Sequence, residues 1–189
     1  MKPVIGLLPM DDRPVNYDYP TYLARLAGYE LHLPTREWLG NPWRDSQHIR
    51  LIDWLVKEAD SADVLIIALD TLAYGGLIPS RTSREPLDSV LERLSVLKKI
   101  KAKRSQLPIL ASSVILRISR ANSSEEEKDY WATYGSAMFR LSYLGIRSTW
   151  EKPLSMSRGR GLSSPVTFQV MFMMIIGLAD SATIWSISG

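Results

Sequence analysis

Apolar positions along the chain alternate between two rhythms, short unbroken runs and stripes spaced at three and four residues. Pro3–Leu8 is a short apolar run ending in the polar loop Asp11-Asp12-Arg13-Pro14-Val15-Asn16. Tyr19–Ala27 reads as helix, and Tyr29–Leu33 as a second strand stopped by Pro34. From His48 to Ala59, Ile49, Ile52, Leu55, Val56 and Ala59 share one helical face. Ala62–Leu69 is continuously apolar and branched, as a strand covered on both faces should be. Asp70-Thr71-Leu72-Ala73-Tyr74-Gly75-Gly76 then reads as a loop, because paired glycines turn the chain. Ser83 and Pro86 open a helix with a stripe of Leu87, Val90, Leu91, Leu94 and Leu97. Leu107–Ile118 is a fourth strand, and Ser124 with Glu127 forms a capping box for a helix reaching about Tyr143. Strand and helix in alternation predict an α/β fold, a parallel sheet with right-handed crossovers. Four units leave it incomplete, either an open sheet or part of a barrel.

Composition narrows the class without naming a chemistry. With 46% hydrophobic and 23% charged residues among 189, the chain is an ordinary globular sequence, not a disordered or fibrous one. A net charge of +3 calls for neither nucleic acid nor an anionic membrane as partner. Lys98, Lys99, Lys101, Lys103 and Arg104 cluster at the end of a helix, where cations suit the macrodipole, and that reading is preferred to a nucleic-acid patch. The absence of cysteine excludes disulfides, thiolate metal sites and a cysteine nucleophile. Acidic residues arrive too early at the N-terminus for a secretory segment, so a cytoplasmic location is expected. The apolar run Val166–Leu178 contains Gln169 and falls short of the roughly 20 residues a membrane-spanning helix needs.

In parallel architectures ligands bind where strands end and the next loops begin. Three such loops carry reactive groups: Asp11, Asp12, Arg13 and Asn16 after the first strand; Asp70 and Tyr74 after the third; Arg117, Ser119 and Arg120 around the end of the fourth. Arg81 follows the Gly-Gly pair. Carboxylates gathered in this way divide into a proton donor and an ionised base or nucleophile. The alternative is a hard cation such as Mg²⁺ held between them. Arginines beside them suit an anionic or hydroxyl-rich ligand. Structural explanations stand alongside: Asp12 capping the turn before Arg13-Pro14, Asp70 capping the loop after its strand, and Gly75-Gly76 turning the chain or admitting a ligand to the backbone. His32 and His48, the only two histidines, read as structural. No phosphate-binding loop, dinucleotide fingerprint, nucleophile elbow or zinc motif is present.

At LLPMDDRPVN (7–16), ALDTLAYGGLIPSR (68–81) and RISRANSSEEEKDYWATYG (117–135) the sequence resembles a bacterial family, domain of unknown function 4127. Three separated motifs occur in the family's order over residues 1–144, with Met10 where members usually carry Leu. The resemblance carries over Asp11, Asp12, Arg13, Pro14 and Asn16, then Asp70, Tyr74, Gly75, Gly76, Ser80 and Arg81. It implies a chain equivalent to about the first third of a longer protein and assigns no activity.

Beyond Leu144 the character of the sequence changes. Residues 1–144 hold 18 acids and 19 bases, whereas 145–189 hold two acids, Glu151 and Asp180, with eight serines and four of the seven methionines. Back-translated from the third base of each codon, Met171-Phe172 forces Val, and Met173-Met174 and Met174-Ile175 force Asp-Asp. Phe172-Met173 allows only Tyr or His, and the degeneracy across Phe168–Ile187 permits IPSDVYDDYWTRRQRNHLVN, which resembles the family's next segment. Ile146-Arg147 permits Asp-Lys in the same phase. A frameshift near codon 144 is therefore expected. Residues 145–189 become a non-native tail without an evolved packing partner, and the sheet is left with an open edge.

The sequence is read as a truncated α/β fragment, inactive alone, of a protein that hydrolyses a small sugar-like or other polar substrate. Asp11, Asp12 and Asp70 would supply acid, base or nucleophile, while Arg13, Asn16, Tyr74, Gly75, Gly76 and Arg81 would bind substrate. No cofactor is required. Mg²⁺-dependent phosphate chemistry and a non-catalytic anion- or sugar-binding domain are the alternatives.

Overall fold

A computed structural model describes residues 2–41, 44–115, 118–150 and 172–176, with 148–150 and 172–176 as backbone. The short apolar runs become strands β1 (Val4–Leu8), β2 (Glu30–His32), β3 (Val64–Ala68) and β4 (Ile109–Ser113). All four are parallel, in the order β2-β1-β3-β4. The sheet is open, which resolves the choice between sheet and barrel for these strands. No helix among the described residues is long and apolar enough to cross a membrane.

Between the strands lie α1 (Pro14–Leu26), α2 (His48–Ser61), α3 (Leu69–Tyr74), α4 (Leu77–Thr82) and α5 (Leu87–Lys103). Fully buried Leu8, Leu65, Ile67 and Ile109 from the strands pack in one cluster with Leu51 and Leu55 of α2 and Leu97 and Ile100 of α5. Each such side chain is worth roughly 1.5–3 kcal/mol of apolar burial. That cluster fixes the strand ends, and with them the loops that follow.

Several elements differ from the periodicity. α1 begins at Pro14 rather than Tyr19, because Pro14 presets the helical φ and Asp11 accepts the Arg13 backbone N–H just ahead of it. The segment expected as one loop after β3 is two short helices, α3 and α4. Leu69–Tyr74 contains good helix formers, and the break falls at Gly75, whose φ of +91° ends α3 while its N–H bonds the Thr71 carbonyl and the Gly76 N–H bonds the Asp70 carbonyl. In α5 the buried face is Val90, Val96, Leu97 and Ile100, and Leu87 and Leu91 are exposed.

The chain divides into two compact units, and the second spans Val114–Met171. There α6 (Trp131–Trp150) starts seven residues after Ser124 (131 − 124), so Ser124 and Glu127 do not cap a helix. Ser123 Oγ instead accepts the Glu125 N–H, and Ser124 O the Glu127 N–H, local turn bonds that compete with helix. α6 continues past Leu144 without interruption.

β4 ends at Ser113, earlier than the expected Ile118. Its outer edge is paired antiparallel by β5 (Phe172–Ile176), in register from Ile109↔Ile176 to Ser113↔Phe172. A stretch of the tail thus has a pairing partner after all. An unpaired strand edge accepts any apolar, β-prone run within reach, and FMMII is one. The rest of the expected tail, 151–171 and 177–189, lies outside the described residues.

Candidate functional site

Parallel pairing places the loops after β1 and β3 side by side. Leu8 pairs with Ile67. Asp11 and Asp70 each lie three residues beyond those partners (8 + 3 and 67 + 3), at equivalent offsets on adjacent chains. The two loops are bonded to each other. Thr71, fully buried, donates its Oγ1 hydroxyl toward the carbonyls of Pro9 at 2.8 Å and Met10 at 2.7 Å.

Asp11 is buried and heavily bonded. Its Oδ1 accepts the Arg13 backbone N–H at 3.1 Å and Asn16 Nδ2 at 2.8 Å. Its Oδ2 accepts Arg13 Nε at 2.8 Å, with Nη2 at 2.6 Å. Burial by itself raises the pKa, but the bonds from Arg13 and Asn16 and the charge of Arg13 outweigh it, so the carboxyl sits below its ordinary 3.8. Arg13 and Asn16 are thus engaged with Asp11.

Asp12 faces elsewhere. Its Oδ2 accepts Asn41 Nδ2 at 3.0 Å and Arg44 Nη2 at 3.3 Å, and its carbonyl accepts Arg36 Nη1 at 3.2 Å. Arg36 also pairs with Asp18 and lies 4.2 Å from the Tyr17 ring centre. Asp70 is buried in the first turn of α3.

Beside these loops a cleft of about 650 Å³ is lined by Asn41, Arg44, Asp45, Ser46, His48, Tyr74, Ile78, Pro79, Thr82, Ser83, Arg84 and Glu85. Of the residues singled out from sequence, Tyr74 lines it. Asp12 adjoins it through Asn41 and Arg44, while Asp11, Arg13, Asn16, Asp70 and Arg81 are not among its described lining. Gly75 and Gly76 are buried behind it. A Cβ on Gly75 would lie 2.2 Å from Ser46 Oγ, and one on Gly40 would lie 2.6 Å from the Gly75 carbonyl oxygen. Glycine at both positions lets Gly40 and Ser46 close onto the end of α3.

His48, Asn41, Arg44 and Ser46 carry no local signal in the sequence. They enter the site because Gly40, Ser46 and His48 pack on Gly75, contacts between positions about thirty residues apart. His48 Nε2 lies 2.8 Å from Arg93 Nη1, and Arg93 is ion-paired with Glu85. Burial first, then the charge of Arg93, lower the His48 pKa to about 4 against a weaker pull from Asp45. Arg117 lies outside the described residues, and Ser119 and Arg120 belong to the second unit. Among the described residues no group of three His, Cys, Asp or Glu side chains is placed to hold a metal ion.

A family model described as "Protein of unknown function (DUF4127)" matches residues 5–158. The match runs 14 residues beyond Leu144 (158 − 144). No curated protein and no solved structure matches the chain.

Proposed function

The chain belongs to that family, and from this premise we propose that residues 1–144 carry the first part of a carboxylate-dependent hydrolase for a small sugar-like or otherwise polar substrate. The substrate would lie at the carboxyl ends of β1 and β3. The supporting observation is the equal offset of Asp11 and Asp70 beyond Leu8 and Ile67, in loops tied together by Thr71. Asp11, ionised and bonded to Arg13 and Asn16, is the electrostatic anchor in this reading. Asp12 and Asp70 supply acid or base, and Tyr74 and Arg81 contact substrate. Residues 145–189 are taken as read out of frame, so the remaining strands and their groups are missing and the fragment is inactive alone.

The absence of a three-ligand cluster among the described residues lends the Mg²⁺ alternative no support. A non-catalytic binding domain is favoured by one observation, the consumption of the Asp11 carboxylate by Arg13 and Asn16. Both are separated from hydrolysis by assay. The gene is repaired to the alternative phase, and the full-length product is tested on nitrophenyl glycosides and nitrophenyl esters. Hydrolysis is expected, falling about a hundredfold or more in Asp70→Asn at an unchanged melting temperature, the scale of a lost acid or base. No hydrolysis, or equal activity in Asp70→Asn, contradicts the proposal.

A further inference from the structure

The cleft beside the DDRP loop gathers charges that are already matched. Arg44 reaches the Asp12 carboxylate at 3.3 Å, Arg93 pairs with Glu85, and Asp45 and Arg84 add one charge of each sign to the wall. An anionic ligand entering here meets no surplus of cations. The other groups available to it are neutral hydrogen-bonding ones, including the hydroxyls of Ser46 and Tyr74 and the imidazole of His48. Ser46 Oγ is buried with no hydrogen-bond partner among the described residues, a cost that a ligand oxygen would remove.

The state of His48 follows from its neighbour. A guanidinium has only N–H donors, so at 2.8 Å from Arg93 Nη1 the Nε2 atom must accept. The ring proton is therefore on Nδ1 and the imidazole is uncharged. Among the described residues Nδ1 has no hydrogen-bond partner, while the ring lines the cleft. The charged and titratable groups around it are Arg93 from α5, Asp45 from the preceding loop, Tyr74 from α3, and Glu85 behind Arg93. A volume of about 650 Å³ is in the range of small-molecule sites.

We propose that this cleft binds a neutral, hydroxyl-rich ligand of sugar type, and that His48 contacts it by donating from Nδ1–H to a ligand oxygen. The proposal rests on the substrate reading above only in placing the ligand beside the DDRP loop. A neutral donor suits a neutral hydroxyl because neither partner loses the hydration of a charge on binding. Arg93 and Glu85 are positioning residues, holding the tautomer.

The test is an NMR titration of the ¹⁵N-labelled 189-residue chain. The probes are methyl glucoside, methyl galactoside and myo-inositol, against inorganic phosphate at equal concentration. At least one neutral polyol is expected to shift the His48 and Ser46 resonances saturably, and phosphate is not. The imidazole should show the Nδ1–H tautomer and no titration between about pH 5 and 8, unlike an unperturbed histidine. His48→Asn, which keeps an N–H donor near the Nδ1 position, should bind within about threefold of the parent. His48→Phe should weaken binding by about three- to tenfold, the worth of one neutral hydrogen bond. Phosphate binding without polyol binding, no binding of either, a ring that protonates near neutral pH, or unchanged affinity in His48→Phe overturns the proposal. Polyol binding by a repaired protein that hydrolyses nothing would refute the hydrolase reading and leave this one standing.

Discussion

Asp11 commits its carboxylate to the start of α1, and the stability of that turn should follow its protonation. Its pKa is below the ordinary 3.8, so the stabilisation is complete above the unfolded value and is lost as pH falls through the lowered folded value. Melting temperatures of the chain and of Asp11→Asn should converge at acid pH and separate above about pH 4. At neutral pH, Asp11→Asn should cost on the order of 1–3 kcal/mol in urea denaturation. Gly75 gives a second test at this scale. Its φ of +91°, and Ser46 Oγ only 2.2 Å from where a Cβ would stand, make Gly75→Ala destabilising by about 1–3 kcal/mol. Adding Ser46→Gly should recover the steric part only, which a double-mutant cycle reads directly. The carboxylates were legible in the sequence because acidic residues directly after apolar runs stand out. Ser46 and His48 were not, since their role depends on which loop folds onto Gly75.

The elements were legible in kind where apolar runs were continuous, as in β1 and β3, and less so in their limits. The stripe on α5 shows why: Val90 and Leu97 are buried as expected, but Leu87 and Leu91 are exposed, and packing adds Val96 and Ile100 to the buried face. The glycine pair after β3 hid α3, because Gly75 ends a helix as readily as it turns a loop. Thr71 ties that helix to the first loop. Thr71→Val keeps the shape and removes the hydroxyl, so it should destabilise by about 1–3 kcal/mol. Amide exchange in residues 9–16 should rise with it.

Edge strand β2 is held differently. His32 Nδ1 meets Glu58 Oε1 of α2 at 2.6 Å, and Nε2 meets Glu30 Oε1 at 3.1 Å. The Glu30 bond raises the imidazole pKa, burial lowers it, and the Glu58 bond with both charges leaves it above 6.5. A raised pKa gives stabilisation that is complete below the unfolded value and fades as pH rises through the folded one. Thermal melts should therefore fall as pH rises above 6.5, and His32→Gln should flatten that slope.

For the whole molecule, an α/β sheet was legible from alternation alone, and the composition break after Leu144 was legible from charge. The antiparallel β5 was not, because pairing at an open edge requires little beyond an apolar run. On α1, Tyr19, Tyr22, Leu23 and Leu26 form an exposed apolar stripe, Leu26 at 85%. Surface of this kind is usually covered in a finished domain. The functional account depends on the chain being the first part of such a domain, with the rest of the site encoded in another phase. Sequencing the gene from codon 144 through the stop tests this directly. An open alternative phase is expected, encoding RR-x-RNH-x-VN across the codons of Phe168–Ile187 and continuing beyond the present stop. An alternative phase closed by stop codons, or lacking that segment, would contradict it and make residues 145–189 native structure.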